Sequence, residues 1–467
     1  MTDGFYFNYW DMSFVSVSVK EINAGERKAR RVEIKVNRNA IKIVLINPPS
    51  LCVEDDRTEP PLGLLYVAAN TRKKGYENIS IYDMTGSHTE DDILRNIDNI
   101  PEAQVYGINC FCTNYQYAKR ITKMIKTALP DSLVILGGPN TTGIPEFTLN
   151  DTGANSVISG EGEDSFFECI DIFCSKRTIK GIIQGKKRDD INTYPFPARD
   201  LIDMNTYSRK LLGNPVICMI SSRGCKYNCI HCNSVVMGGG SKGARYRNIQ
   251  NIISEIKSLR DHYKYFRFND DHFTGNPNLI QLLDQIKHLD IQFRAFARIE
   301  DLNQKTCSAL REAGCIHISI GLESLNPNNL KIIGKASQIG CDNNVKIAKE
   351  NGLTIRSSFM VGLPFDTDET IEKYFKTTAG VGIDEFAVYP LIPYPGSQIW
   401  KNPKKFGYTI TDSDFTKYVQ VGHDRRSYYA LQHHNFGPKH VEKWKTVAEK
   451  ILEDGGVKHI SNSAIAQ

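Results

Sequence analysis

No apolar stretch of this chain approaches the roughly 20 residues needed to cross a bilayer, which argues against a membrane span. A strong net charge is missing too: 58 Lys and Arg stand against 53 Asp and Glu, or +5 in 467 residues. The basic residues are spread along the chain, and no motif interleaves them with aromatics that could stack on bases, so no nucleic-acid partner is expected. A secretory signal is absent, and a chain with 12 cysteines and this length does not suit the disulfide framework of short secreted domains. A reducing, cytoplasmic setting is therefore expected. What is present is ordinary for a globular protein, 40% hydrophobic and 24% charged. The length calls for two or three domains.

The most specific feature is Ser222-Arg-Gly-Cys225-Lys-Tyr-Asn-Cys229-Ile-His-Cys232. Its thiols are separated by three residues and then two. Cluster-binding cysteines usually come in fours, one for each iron of a 4Fe-4S cube. A run that stops at three leaves one iron without a side chain, open to a substrate, as catalytic zinc keeps one position open. Structural zinc is the alternative and needs a fourth ligand. His231 is next to Cys232 in sequence and cannot easily complete a tetrahedron, whereas His272 could.

Upstream, short β-branched runs alternate with helical stretches. Strands are expected at 41–46, 79–82, 105–108, 133–136 and 156–158, with helices at 63–74, 91–99 and 115–129 between them. Such alternation predicts a parallel sheet covered on both faces, with ligands at the carboxyl ends of the strands. There lie Asn47-Pro48-Pro49, Gly137-Gly138-Pro139-Asn140 and Gly160-Glu161-Gly162-Glu163, whose glycines let backbone approach a large ligand. No G-x-G-x-x-G follows the first strand, so a nicotinamide dinucleotide is not expected. Cys110 and Cys112 end the third strand, as small core residues or at the ligand face. Residues 189–199 hold two prolines between polar residues and read as a connector.

Past the cysteine loop the alternation resumes. Strands are expected from Val216 and at 265–269, 292–297, 317–321, 354–361 and 385–390, with helices such as 251–262 and 278–289. Six repeats fall short of the eight of a closed TIM barrel. Asn269-Asp270-Asp271-His272, Arg298, Gly321-Leu-Glu323-Ser324, Gly362-Leu-Pro364 and Pro393-Tyr-Pro-Gly396 lie at or beyond the strand ends, where barrel active sites are built.

In its three cysteines and these strand-end residues, the second half resembles the radical S-adenosylmethionine (SAM) enzymes. With Pro61-Leu62-Gly63-Leu64 opening the first helix, the first half resembles the cobalamin-binding domain that precedes the radical domain in one class of them. The resemblance implies an α/β protein with a Rossmann-like cobalamin-binding domain (41–188) and a linker (189–212), followed by a partial (β/α)6 TIM-like barrel (213–405). An amino-terminal arm (1–40) would precede them, extended and packed on the body or mobile, and a helical segment (406–467) would close the barrel. It implies a 4Fe-4S cluster on Cys225, Cys229 and Cys232, and SAM held by Tyr227, Asp270, Asp271, Arg298, Glu323 and Ser324. Cobalamin would rest on Asn47, Pro48, Leu62, Gly63, Gly137, Gly138, Pro139, Asn140, Gly160 and Glu161.

The chain departs from relatives in two places. It lacks the Asp-x-His-x-x-Gly of cobalamin mutases, and it has Asn140 where many relatives have His. The activity implied is methyl transfer to an unactivated carbon or phosphorus of a biosynthetic small molecule, driven by a one-electron donor such as flavodoxin or ferredoxin. Oxidative cyclisation, ring rearrangement and a non-catalytic cobalamin and cluster sensor are the alternatives, as is a fold that has outlived its cobalamin.

Overall fold

The computed structural model describes residues 15–24, 27–53, 55–87, 89–175, 177–238, 243–418 and 428–460. The aromatic segment 6–14, Gly239, Gly240 and parts of the C-terminal segment lie outside them. The sequence expectation for the arm changes at once. Val15–Ala24 (β1) and Arg27–Val36 (β2) pair with each other as an antiparallel ribbon. The alternation Val15-Ser-Val-Ser-Val19, matched by Val32-Glu-Ile-Lys-Val36, is the period-two signal for it.

The first α/β unit runs β3 (Ile43–Asn47), α1 (Leu62–Lys73), β4 (Ile79–Asp83), α2 (Glu90–Asp98), β5 (Val105–Asn109), α3 (Tyr115–Ala128) and β6 (Leu133–Gly137). It continues through α4 (Pro139–Gly143), α5 (Pro145–Thr152), β7 (Ser156–Ser159), α6 (Glu163–Cys174) and β8 (Gly181–Gln184). The sheet order is β4-β3-β5-β6-β7-β8, all parallel. The order reverses between β3 and β5, and helices cover both faces, which is why β3 is buried along its whole length. β8 escapes the sequence reading because it is a four-residue edge strand, three residues half-buried and Gln184 exposed, with only Ile182 and Ile183 apolar.

The second unit is a curled sheet of eight strands. Its elements in chain order are β9 (Lys210–Leu211), β10 (Asn214–Met219), β11 (Ser222–Arg223), β12 (Arg245–Tyr246), α7 (Ile249–Leu259), β13 (Tyr265–Phe268), α8 (Leu279–Ile286) and β14 (Gln292–Ala297). They continue with α9 (Gln304–Glu312), β15 (Cys315–Glu323), α10 (Pro327–Ile332), α11 (Asn343–Glu350), β16 (Thr354–Val361), α12 (Asp368–Ala379) and β17 (Glu385–Pro390). The expected repeats are the parallel strands β10 and β13 to β17, and the two-residue strands β9 and β20 (Lys458–His459) extend the edges, in the order β9-β10-β13-β14-β15-β16-β17-β20; β11 and β12 pair only with each other. Alternate residues of each strand face outward under the helices, such as Phe266, Phe268, Phe293, Ile318, Ile355 and Phe386, and form one core.

The C-terminal segment is less helical than its pattern suggests. After α13 (Gln398–Lys401) come a hairpin of β18 (Tyr408–Ile410) and β19 (Leu431–His433), then α14 (Pro438–Asp454) and β20. Proline at the first position of α14 suits its start, and Val441, Trp444, Ala448 and Leu452 form its buried stripe. Trp444 Nε1 donates to Asp368 Oδ1 at 2.6 Å and so fixes α14 against α12. Tyr408, His433 and Phe436 pack together beside it, so these aromatics cover the barrel edge.

Residues 189–212 are not a free linker. Ile191 and Tyr194 are buried against Tyr66, Ala198 N donates to Leu65 O at 3.1 Å, and Arg199 pairs with the fully buried Glu255 of α7 at 2.8 Å. The two units also meet where Gly143, ending α4, touches the turn after β17. A Cβ on Gly143 would lie 2.2 Å from Pro395 O, and one on Gly396 would lie 2.6 Å from Gly143 Cα. Both obstacles are backbone, so nothing flexible can yield. Gly143→Ala is therefore expected to destabilise the protein by about 1–3 kcal/mol, as overpacking does. Thermal unfolding measures it, and an unchanged Tm counts against this close approach.

Candidate functional site

The cysteine loop hangs from the carboxyl end of β10. Gly224, at φ +84°, turns the chain directly before Cys225, a conformation that an L-side chain resists. The loop is tied down by Cys232 N to Cys229 O (3.1 Å), Ile230 N to Ile333 O (3.3 Å) and Ile399 N to Ile230 O (3.1 Å). Cys229 is buried, while Cys225 and Cys232 are half-buried by residue exposure. Burial pushes the Cys229 thiol up and that of Cys232 up to about 12. Thiolates here thus gain from a positive centre that replaces their protons. Among the described residues no three Cys, His, Asp or Glu side chains converge on a single ion. A cube asks for no such convergence, since its thiolates sit at separate corners. Three sulfur donors on one short, anchored loop fit it.

Around the loop the sequence-predicted residues divide into two groups. Arg298 stacks its guanidinium 3.7 Å from the Tyr227 ring centre and holds Nη1 3.9 Å from Cys229 Sγ. Its Nε donates to Glu300 (2.6 Å) and its Nη2 to Ser337 Oγ (3.0 Å). Glu323, at φ +62°, is a non-glycine residue in the left-handed region beside a register shift between β15 and β16. Such a conformation costs about 1–3 kcal/mol and persists only where the surroundings enforce it. Lys335 provides that here, donating from Nζ to Glu323 Oε1 (2.9 Å) and Gly321 O (2.8 Å). Burial would raise the Glu323 carboxyl, but Lys335 holds it below its usual range. Asp271 accepts from Ser234 Oγ at 2.8 Å and lines the large cavity described below.

Asp270 and Ser324 are occupied by the fold. Asp270, 1% exposed, accepts from Ser221 N (3.0 and 3.1 Å), Ser221 Oγ and Ser222 Oγ, and so braces the end of β10. Ser324 Oγ accepts from Asn326 N (3.0 Å) ahead of α10. Residues that sequence reasoning did not assign to the site also appear. Lys335 and Glu300 come from different loops, and His272, considered as a zinc ligand, bonds Asp301 Oδ2 at 2.5 Å and also meets Cys225. The His231 imidazole is pushed down to about 4 by burial. A fixed-spacing motif signals neither Lys335–Glu323 nor His272–Asp301, because these partners lie 12 and 29 residues apart in sequence.

Between the first sheet and the barrel mouth lies a cavity of about 520 Å³, within the usual range for ligand sites. Leu62, Gly63, Gly137, Gly138, Pro139, Gly160 and Glu161 line it from the sheet side. Asn47, Pro48 and Asn140 are not in its wall. Asn47 joins Asp83 (3.0 Å) and Asn109 (3.1 Å), and buried Asn140 N donates to Cys110 O (3.1 Å). A Cβ on Gly63 or Gly137 would meet no atom within 4 Å, so backbone is bared to the cavity there. That floor suits a broad flat ligand such as a corrin.

The opposite wall includes Ile220, Ser222, Arg223, Gly224, Asn269 and Asp271. Arg223 joins the two walls. It pairs with Glu163 at 2.6 Å and Glu161 at 3.7 Å and lies over the rings of Tyr66 and Tyr194, while Arg245 also pairs with Glu161. Against burial, the two carboxylates hold Arg223 charged, above its usual range. Residue 223 is two positions before Cys225, so the cavity wall and the cysteine loop are held by one side chain.

Comparison with known proteins agrees with this geometry. Residues 51–170 match the B12 binding domain model and residues 219–378 match the radical SAM superfamily model. An uncharacterized methyltransferase of Pyrococcus horikoshii is 32% identical over 77% of this chain and 83% of its own length. Bacteriochlorophyllide d C-12(1)-methyltransferase of Chlorobaculum tepidum is 26% identical over 92% of this chain and 87% of its own. The fold is also that of the radical SAM methyltransferase TsrM from Kitasatospora setae, solved with cobalamin and a 4Fe-4S cluster (TM-score 0.64, 13% identity, 90% of this chain and 89% of that one). The chain belongs to the cobalamin-binding radical SAM enzymes, whose cofactors are a 4Fe-4S cluster, SAM and cobalamin.

Proposed function

We propose that the protein is a methyltransferase that acts on an unactivated carbon or phosphorus of a biosynthetic small molecule. The observation that carries this reading is the position of the cavity, which has a bared-glycine floor on the first sheet and, opposite, the residues that begin the cysteine loop. Relatives named as methyltransferases favour methylation over ring closure. When bound, the cluster delivers an electron that splits SAM into methionine and a 5'-deoxyadenosyl radical, and cobalamin carries the methyl group.

The chain's own residues bind, orient and shield. Cys225, Cys229 and Cys232 would hold the cluster, and Arg298 places a positive charge beside Cys229. The Glu323 carboxylate, kept ionised by Lys335, would accept hydrogen bonds from SAM, with Tyr227 under Arg298 and Asp271 in the cavity wall as further contacts. The walls joined by Arg223 keep water from the reacting carbon. The enzyme acts on a small molecule and draws electrons from a one-electron donor such as flavodoxin or ferredoxin, and a reducing cytoplasm suits it.

Anaerobic reconstitution is expected to load about four irons per chain, the content of one cube. With SAM and a reductant the protein should then release 5'-deoxyadenosine, and a triple Cys225, Cys229, Cys232→Ala variant should do neither. A wild-type chain that takes up iron yet forms no 5'-deoxyadenosine would refute the enzymatic reading. Methyl-labelled SAM should leave label in the product, and an unlabelled product would point to ring closure instead. Arg223→Met leaves Glu161 and Glu163 buried with less compensation, at a cost of about 3–5 kcal/mol. It is expected to lose cobalamin, read by visible absorbance, while retaining cluster iron. Equal cobalamin retention would show that the ion network does not shape the cavity.

A further inference from the structure

The inside of the barrel carries a charge imbalance that the radical chemistry does not use. Arg267 of β13, Arg294 of β14 and Arg356 of β16 lie at inward-facing positions, alternating with outward residues of the apolar core, and Arg209 joins them from just before β9. Arg209, Arg294 and Arg356 are 9%, 6% and 4% exposed, and the Arg267 side chain is 12% exposed.

Two carboxylates accompany these four guanidiniums. Glu59, reaching in from the loop after β3, pairs with Arg209 (2.8 Å) and Arg267 (2.5 Å). Glu385 is bonded to His317 Nε2 (3.0 Å). Arg294 finds only a hydroxyl, giving Nε and Nη2 to Ser319 Oγ (3.1 and 2.6 Å). Among the described residues, Arg209 Nε and Nη1, Arg267 Nε and Arg356 Nη1 are buried with no hydrogen-bond acceptor, while Arg267 Nη1 is taken by Glu59.

Like charges gathered in a dry interior with donors unspent are costly unless an anion joins them. Burial, and then Arg267, Arg356 and Arg209, push the Arg294 guanidinium below its usual range, the sign of a cation short of a counter-charge. The cluster is also next to the cavity. Asn269 lines the cavity and gives its Nδ2 to Glu59 Oε2 at 2.7 Å, so one side chain separates the cavity from the arginines. Guanidinium forks with free donors match planar or tetrahedral oxyanions.

We propose that the barrel interior, through Arg209, Arg267, Arg294 and Arg356, binds an oxyanion of the substrate, a carboxylate or a phosphate, and anchors it behind Asn269 with the reacting atom held toward the cavity. This rests on the methyltransferase reading and adds to it the chemical class of the substrate, an acid.

The test uses the full chain loaded with cluster and cobalamin, without SAM or reductant. Inorganic phosphate and acetate are titrated separately at constant ionic strength, with binding read by calorimetry and by the rise in Tm. At least one should bind saturably, and the tighter of the two identifies the group as phosphate or carboxylate. Arg356→Met and Arg294→Met should each weaken that binding at least tenfold. Glu59→Gln, which neutralises the carboxylate already present, should tighten it several-fold, so the proposal stands on a change of each sign even if one arginine variant does not fold. The proposal is overturned if neither anion binds saturably, if every folded arginine variant binds as tightly as the wild type, or if Glu59→Gln weakens binding. Because no turnover is involved, failure here leaves 5'-deoxyadenosine formation standing, and loss of 5'-deoxyadenosine formation leaves anion binding standing.

Discussion

The pairing of Arg223 with Glu161 and Glu163 is the constraint on which the arrangement of the site depends. The carboxylates sit at the carboxyl end of the first sheet, where β7 turns into α6, and the guanidinium sits two residues before the first cluster cysteine. Glu163 is buried and Arg223 and Glu161 are largely so, which makes each ion depend on the other for its charge. Arg245 and the rings of Tyr66 and Tyr194 fill out the contact. Distance between the sheet that cradles one cofactor and the loop that holds another is thereby fixed by charge and hydrogen bonding, not by the length of the connector.

Further charged groups are used in the same way at other depths. Lys335 keeps Glu323 ionised at a strained backbone position, Asp270 spends its oxygens on Ser221 and Ser222, and Arg199 and Arg247 share Glu255. In each case a buried charge has a committed partner. The barrel interior is different, because four arginines there meet two carboxylates and keep donors in reserve. Structural ion clusters tend toward balance, since an unpaired buried charge costs several kcal/mol. Imbalance next to a cavity is what a site for an oppositely charged ligand requires.

Much of this was legible before any coordinates. Strand and helix positions in both units came within a few residues of those observed, because parallel strands buried on both faces leave continuous β-branched runs. The cysteine loop and the glycine-bearing strand ends were legible from spacing alone. What escaped has physical reasons. β8, β9 and β20 are too short or too exposed to leave a period, and residues 189–212, prolines included, are polar enough to read as loop although Ile191 and Tyr194 are buried. Asn47, Pro48 and Asn140 lie at strand ends, as read, but Asn47 bonds Asp83 and Asn109, Asn140 bonds Cys110, and all three leave the cavity wall to the glycines.

By itself the sequence determined the main strands and helices of both units, their order, and the donors: three thiols in one loop, glycines at strand ends, carboxylates and an arginine after barrel strands. These are properties of residues close together in the chain, where spacing and periodicity carry the information. The tertiary structure alone decided which groups face one another, that Lys335 meets Glu323, that Glu59 from the first unit enters the barrel of the second, and that Arg223 joins the two. Such pairings are set by how two sheets twist and dock, over separations of up to about two hundred residues, and no local pattern records them.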